Sequence, residues 1–211
     1  MAKLTATSYA ILGLLERQPW SAYELTKYMQ HSGIRAVWPR TESRIYVEFK
    51  NLVSHELATG EQEQKQGRKR TVYTITAEGR KKLRQWLKEP TGGIRLESEP
   101  LLKLLYSDLE KSTRNIQVNH IKEQLASEVA LLRSEITGVL EQGFYFDDNA
   151  LQNAELLALL VDSLEARSKW LSNLGERPAT GRSAASTAEE AKKLYAKQAK
   201  RLEKLLQNPP G

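Results

Sequence analysis

The sequence contains no cysteine, which excludes disulfides, thiolate metal centres and a cysteine nucleophile. Histidine is nearly as scarce. His31, His55 and His120 stand apart, and no two have the spacing that puts a pair of imidazoles on one helical face, so no metal is expected. No stretch approaches the ~18 consecutive apolar residues of a membrane span. The opening residues Met1-Ala2-Lys3-Leu4-Thr5 lack the apolar core and cleavage site of a secretory leader, so a soluble cytoplasmic chain is expected. Carboxylate pairs, Ser–His–Asp sets and glycine-rich phosphate loops are also missing. The expectation is therefore no enzyme and no cofactor. There is no internal repeat.

What the chain does have is unevenly placed charge. A net charge of +6 over 211 residues resolves into +7 for residues 1–90, −5 for residues 91–175 and +4 for residues 176–211. A basic head beside an acidic middle suggests that the first part meets a polyanion while the second does something else.

Periodicity divides the chain in the same places. Residues 5–16 read as a helix apolar on most faces, hence buried, and Gln18-Pro19-Trp20 breaks it. Ser21-Ala22-Tyr23-Glu24 fits a capping box opening a helix of about ten residues, with Gly33 as its terminator. Thr41 is a good N-cap for a third helix, with Glu42 in its first turn and Ile45, Phe49, Leu52 and Val53 along one face. The period then shifts to that of strands, from Leu57 to Lys65 and from Thr71 to Thr76, around the basic turn Lys65-Gln66-Gly67-Arg68-Lys69-Arg70. A helix from Ala77 to Glu89 follows. Thr91-Gly92-Gly93 is the expected hinge. Behind it lie helices over residues 100–109, 115–142 and 148–174, a linker at residues 178–183, and a basic amphipathic helix at the end.

The predicted fold is mainly α with a small β wing: a winged helix-turn-helix over residues 1–90, a helical dimerisation domain over 91–175, and a linker plus basic helix over 176–211. In winged helix-turn-helix modules the third helix enters the major groove and the wing reaches the backbone. Opposite the apolar face of that helix lie Ser43, Val47, Lys50 and Ser54, with Arg44 and Asn51 beside them and Tyr46 on a flank. These are side chains suited to base edges and phosphates. With Thr41 and the wing residues Lys65, Arg68, Lys69 and Arg70 they form the expected DNA-binding set. Glu42 and Glu48 are read as opposing non-specific attraction. In the wing, only Glu61 and Glu63 upstream offset four crowded positive charges, which a polyanion would relieve.

The residues Leu4-Thr5-Ala6-Thr7-Ser8-Tyr9-Ala10-Ile11-Leu12-Gly13-Leu14-Leu15, Ser21-Ala22-Tyr23-Glu24-Leu25, Trp38, Ile45-Tyr46, Leu52, Leu57 and Arg70-Thr71-Val72-Tyr73-Thr74-Ile75-Thr76-Ala77-Glu78-Gly79 together resemble the PadR family of bacterial transcription regulators. The run from Pro100 to Leu109 and the helix around Leu164 to Leu171 with Trp170 resemble its longer subgroup. The resemblance implies a homodimer joined through C-terminal helices, binding to inverted repeats, usually as a repressor, and release by a small molecule in some members. It places the family's recognition tyrosine on Tyr46 and its wing arginines on Arg68 to Arg70. Two departures stand out. Val47 replaces a common proline, and Glu56 replaces a glycine, so that Glu56 either adopts a left-handed backbone or alters the helix end.

The leucine stripe Leu156, Leu157, Leu160, Leu164 and Leu171 is the expected dimer interface, since burial of a leucine contributes ~1.5–3 kcal/mol. Trp86, Tyr106 and Trp170, with the Phe144-Tyr145-Phe146 run, are candidates for an effector pocket, although aromatics at such positions are more often core. The competing function is an adaptor that uses its winged helix to bind protein or RNA without sequence-specific DNA binding.

Overall fold

The computed structural model describes residues 4–65, 68–94, 96–107, 109, 113–175 and 184–207, and the side chains of Lys65 and Arg68 fall outside that set. Gln66 and Gly67 at the wing tip, and the expected linker at residues 178–183, also lie outside the described residues.

Local hydrogen bonding accounts for the first helices. Thr5 caps α1 (Ala6–Arg17), its hydroxyl accepting from the Ser8 amide while the Ser8 hydroxyl accepts from the Thr5 amide. Ser21 and Glu24 close the same reciprocal box at the start of α2 (Ala22–His31), as their spacing predicted. Gly33 does not act as the expected terminator. Ser32 caps α2, and Gly33, at φ −52°, opens a further turn of helix, α3 (Ile34–Val37). Thr41 caps α4 (Glu42–Ser54).

The strands β1 (Trp20–Ser21), β2 (Ala58–Lys65) and β3 (Arg68–Ile75) form an antiparallel sheet in the order β1-β3-β2. Trp20 pairs with Tyr73 and Ser21 with Val72, so β1 covers only the base of β3. Beyond Val72 the sheet is a two-stranded ribbon running out to the Lys65–Arg68 pair. Thr76 then caps α5 (Ala77–Trp86). Ile11, Leu12, Leu25, Ile45, Phe49, Leu52, Leu57, Ile75 and Leu83 form one buried core under these elements. Val53, expected on the inner face of α4, is instead 39% exposed.

The junction between α4 and β2 has a specific backbone solution. The Glu56 amide donates to the Val53 carbonyl (3.0 Å) and the Leu57 amide to the Leu52 carbonyl (2.9 Å). This closes the helix through one residue in the left-handed region. That residue is Glu56, at φ +57°.

The remaining helices are α6 (Glu99–Leu105), α7 (Thr113–Gln142), α8 (Ala150–Gly175) and α9 (Ala184–Gln207), with a 3₁₀ turn at Asp147–Asn149. Gly143 ends α7 at φ +84°, a conformation that glycine adopts without penalty. The chain forms two compact units, Met1–Ser98 with Glu123–Ser168 and Glu99–Lys122 with Lys169–Gly211.

Within the first unit the residues after Gly143 pack on the head. Tyr145 stacks on Trp20 with centroids 5.5 Å apart and approaches Tyr28 at 4.8 Å. Phe146 meets both edge-on, Arg17 lies over its ring, and Arg17 pairs with Asp148. On another face of the head Trp86 stacks flat on Tyr9 at 4.7 Å.

The leucine stripe divides. Leu156, Leu157 and Leu160 are half-buried, whereas Leu164 and Leu171 are buried within this single chain. Those two are therefore already covered within the chain itself. Leu131, Leu140, Leu151 and Leu159, all in the first unit, are among the exposed apolar side chains.

Candidate nucleic-acid interface

The surface expected to meet DNA is built on α4, which three ties hold in place. Trp38 donates its indole N–H to the Thr7 hydroxyl (3.0 Å), and the Arg40 Nε donates to the same oxygen (3.3 Å). The Arg40 guanidinium lies over the Trp38 ring, and Gln30 donates to the Arg40 carbonyl. The segment before α4 is thus fixed to α1 and α2. The third tie lies inside the helix itself. Glu48 is buried, and its carboxylate accepts from the Ser8 hydroxyl (2.6 Å), the Thr5 hydroxyl (3.2 Å) and the Arg44 Nη2 (2.9 Å).

This corrects the sequence reading of Glu48. It is not a surface charge repelling phosphates but the acceptor that joins α4 to the capped start of α1. Periodicity could not show this, because the partners are two hydroxyls 40 and 43 residues away. Arg44 keeps one edge free for solvent; its side chain is half exposed while paired with Glu48.

The outer face of α4 carries Thr41, Ser43, Tyr46, Val47, Lys50 and Ser54, all exposed, with Asn51 half-buried. Its chemistry is mixed: hydroxyls and a lysine for phosphate oxygens, arginine and asparagine for base edges, and an exposed valine and tyrosine for apolar contact with thymine methyls and sugars.

The wing is less uniform than its sequence suggests. Lys69 is exposed. Arg70 is not a free cation: its Nη1 donates to Glu24 on α2 (2.6 Å) and its Nε to Glu63 across the ribbon (2.9 Å). Hydrogen bonds to Glu63, and then to Glu24, hold the guanidinium still more firmly protonated than usual. Glu24 in turn is held below the usual carboxylate range, first by the Ser21 hydroxyl and also by Arg70. Glu24 is legible in the sequence as a capping residue and Glu63 as a nearby charge. Their meeting through Arg70 depends on how the sheet places β3 beside α2.

Of the candidate pocket residues, Trp86 belongs to the first compact unit, while Tyr106 and Trp170 belong to the second. One face of Trp86 is occupied by Tyr9. Among the described residues, no group of His, Asp and Glu is arranged to hold a metal ion, and no helix is long and apolar enough to cross a membrane.

Residues 11–85 match the family described as "Transcriptional regulator PadR-like family". Those residues are a PadR-like domain. The "Negative transcriptional regulator PadR" of Bacillus subtilis is 36% identical over 81 residues, 37% of this chain. The match spans less than half of that relative, 43% of its length. Among solved structures, Bacillus subtilis PadR in complex with operator DNA is similar at a TM-score of 0.64 and 25% identity, covering 81% of this chain and 98% of that one. The same regulator in complex with p-coumaric acid matches at 0.57 and 23% identity, over 83% of this chain and 100% of that one; at that identity the likeness speaks for the fold alone. The PadR-like domain thus coincides with the winged head, and the structural likeness extends beyond it into the helices behind.

Proposed function

We propose that this chain is a transcription regulator that binds a pseudo-palindromic operator as a homodimer, represses, and is released by a small-molecule effector. The observation that carries the proposal is the exposed, chemically mixed face of α4 held rigidly beside a wing whose Lys69 is open to solvent. DNA binding also draws support from the Bacillus subtilis PadR–operator complex, and repression from the name of the curated relative. A dimer is favoured because Leu140 and Leu151 are 81% and 68% exposed in the single chain, and two-fold symmetry would set two recognition helices one turn of DNA apart, roughly 34 Å.

The test is duplex affinity measured against salt, with genomic fragments selected for binding. Lys50→Ala and Lys69→Ala should each weaken binding and each reduce the slope of log K against log salt by about one. Arg44→Ala should relax base preference. Equal binding to selected and scrambled duplexes would favour the adaptor reading instead. Sedimentation of the wild type against Leu140→Glu/Leu151→Glu tests the dimer. Because Bacillus subtilis PadR has been captured with p-coumaric acid, phenolic acids are the first compounds to titrate for release.

A further inference from the structure

Wing arginines invite the reading that all of them touch DNA. The geometry points to a different assignment for one: Arg70 is a positioning residue that fastens the wing to α2 through Glu24 and to its sister strand through Glu63, leaving phosphate contact to Lys69. This division of labour rests on the DNA-binding reading above, whereas the fastening itself does not.

Side chains alternate across a strand, so Lys69 shares a face with Thr71 and Tyr73, and Arg70 shares the other with Val72. The Tyr73 ring packs on Phe49 of α4 at 4.6 Å, which places Lys69 on the ribbon face that carries the recognition helix. Arg70 turns towards α2. There both ends of its guanidinium are engaged, Nη1 with Glu24 (2.6 Å) and Nη2 with Glu63 (2.8 Å). Two carboxylates around one guanidinium leave that corner net negative, and a phosphate approaching it would be repelled rather than drawn in.

The position of the clamp explains its use. β1 supports β3 only as far as Val72. Outward of that residue the sheet has two strands, and a two-stranded ribbon alone is at best marginally stable in water. Arg70 is the next residue outward on the Val72 face, where that support ends, and Glu63 is its cross-strand partner. Glu24 is a firm anchor because its other oxygen is held by the Ser21 amide and hydroxyl in the capping box.

The experiment uses the full-length chain and four variants, Arg70→Gln, Glu24→Gln, their double, and Lys69→Gln. Glutamine at position 24 still closes the capping box but removes the charge that Arg70 needs. Amide hydrogen exchange in the free protein should speed up along β2 and β3 in Arg70→Gln and in Glu24→Gln, with no further gain in the double variant. Lys69→Gln should leave it unchanged. On a selected duplex, Arg70→Gln should lower affinity about threefold to tenfold with the salt slope of the wild type, while Lys69→Gln should make the slope shallower. A slope that falls equally in both variants would overturn the assignment, as would unchanged exchange in Arg70→Gln or additive effects in the double. If the unaltered chain binds no duplex, the DNA reading and the division of labour fail together, and the exchange data alone judge the fastening.

Discussion

Replacing Glu56 by glycine should stabilise the protein, although it removes a side chain. Glu56 occupies the left-handed region at φ +57°, where Cβ crowds the following carbonyl at a cost of roughly 1–2 kcal/mol. Its side chain is exposed. The useful contacts belong to its backbone, whose amide donates to Val53 (3.0 Å) and whose carbonyl accepts from the Thr76 hydroxyl (2.8 Å). Glycine keeps both and removes the clash. Against this stands the greater freedom of glycine in the unfolded chain, about 0.4–1 kcal/mol. The net expectation is a gain of about 0.5–1 kcal/mol, or about 1–4 °C in Tm for a chain of this size. Urea denaturation followed by circular dichroism should show a higher midpoint with an unchanged slope. Two controls separate strain from charge. Glu56→Ala keeps the Cβ and should behave like the wild type, and Glu56→Asn should fall between, because asparagine tolerates this conformation better. A lower midpoint for the glycine variant would refute the reasoning, as would an alanine variant that gains as much.

Further predictions concern the contacts that hold the head together. Gly79→Ala should cost ~1–3 kcal/mol despite the better helix propensity of alanine, because the added Cβ would fall on the Leu57 carbonyl oxygen and 2.8 Å from Ile75 Cγ1; a neutral result in chemical denaturation would contradict the close approach. Glu48→Gln should lose ~1–3 kcal/mol by weakening the acceptor shared by Ser8, Thr5 and Arg44, and Glu48→Leu should lose more; a stabilised leucine variant would refute the network. Glu135, half-buried on α7 and reached by the Gly33 amide, has its carboxyl pushed above the usual range, chiefly by burial. A raised carboxyl makes the folded state bind its proton more readily than the unfolded one, so this group's contribution to stability improves as pH falls through the folded value. Glu135→Gln should therefore be more stable than the wild type at pH 8, and the gap should close towards pH 4; a gap independent of pH would count against burial as the cause.

The parts of the fold visible in the sequence were those settled within a few residues. The capping box at Ser21 and Glu24 and the cap at Thr41 depend on near neighbours and formed as expected; the strand pair formed too, but Arg68, Lys69 and Arg70, expected in the turn, belong to β3 instead. The missed features need partners far along the chain. β1 is two residues long and exists only because β3 passes beside it. Glu48 reads as a surface charge until Thr5 and Ser8 close over it. Arg70 looks like one more cation in the wing until folding brings Glu24, 46 residues earlier, within hydrogen-bonding distance. At the α4–β2 junction the sequence left two alternatives, and the backbone took the left-handed one at Glu56.

The aromatic packing of Tyr145 and Phe146 on Trp20 and Tyr28 bears on how the molecule comes apart. Residues 91–94 are exposed coil and offer a protease an easy cut. A single nick there would break the polypeptide without liberating the head. Its floor is gripped by rings that lie more than fifty residues downstream, with Arg17 bonded to Asp148 beside them. The severed fragments should travel together on a sizing column and separate only in denaturant.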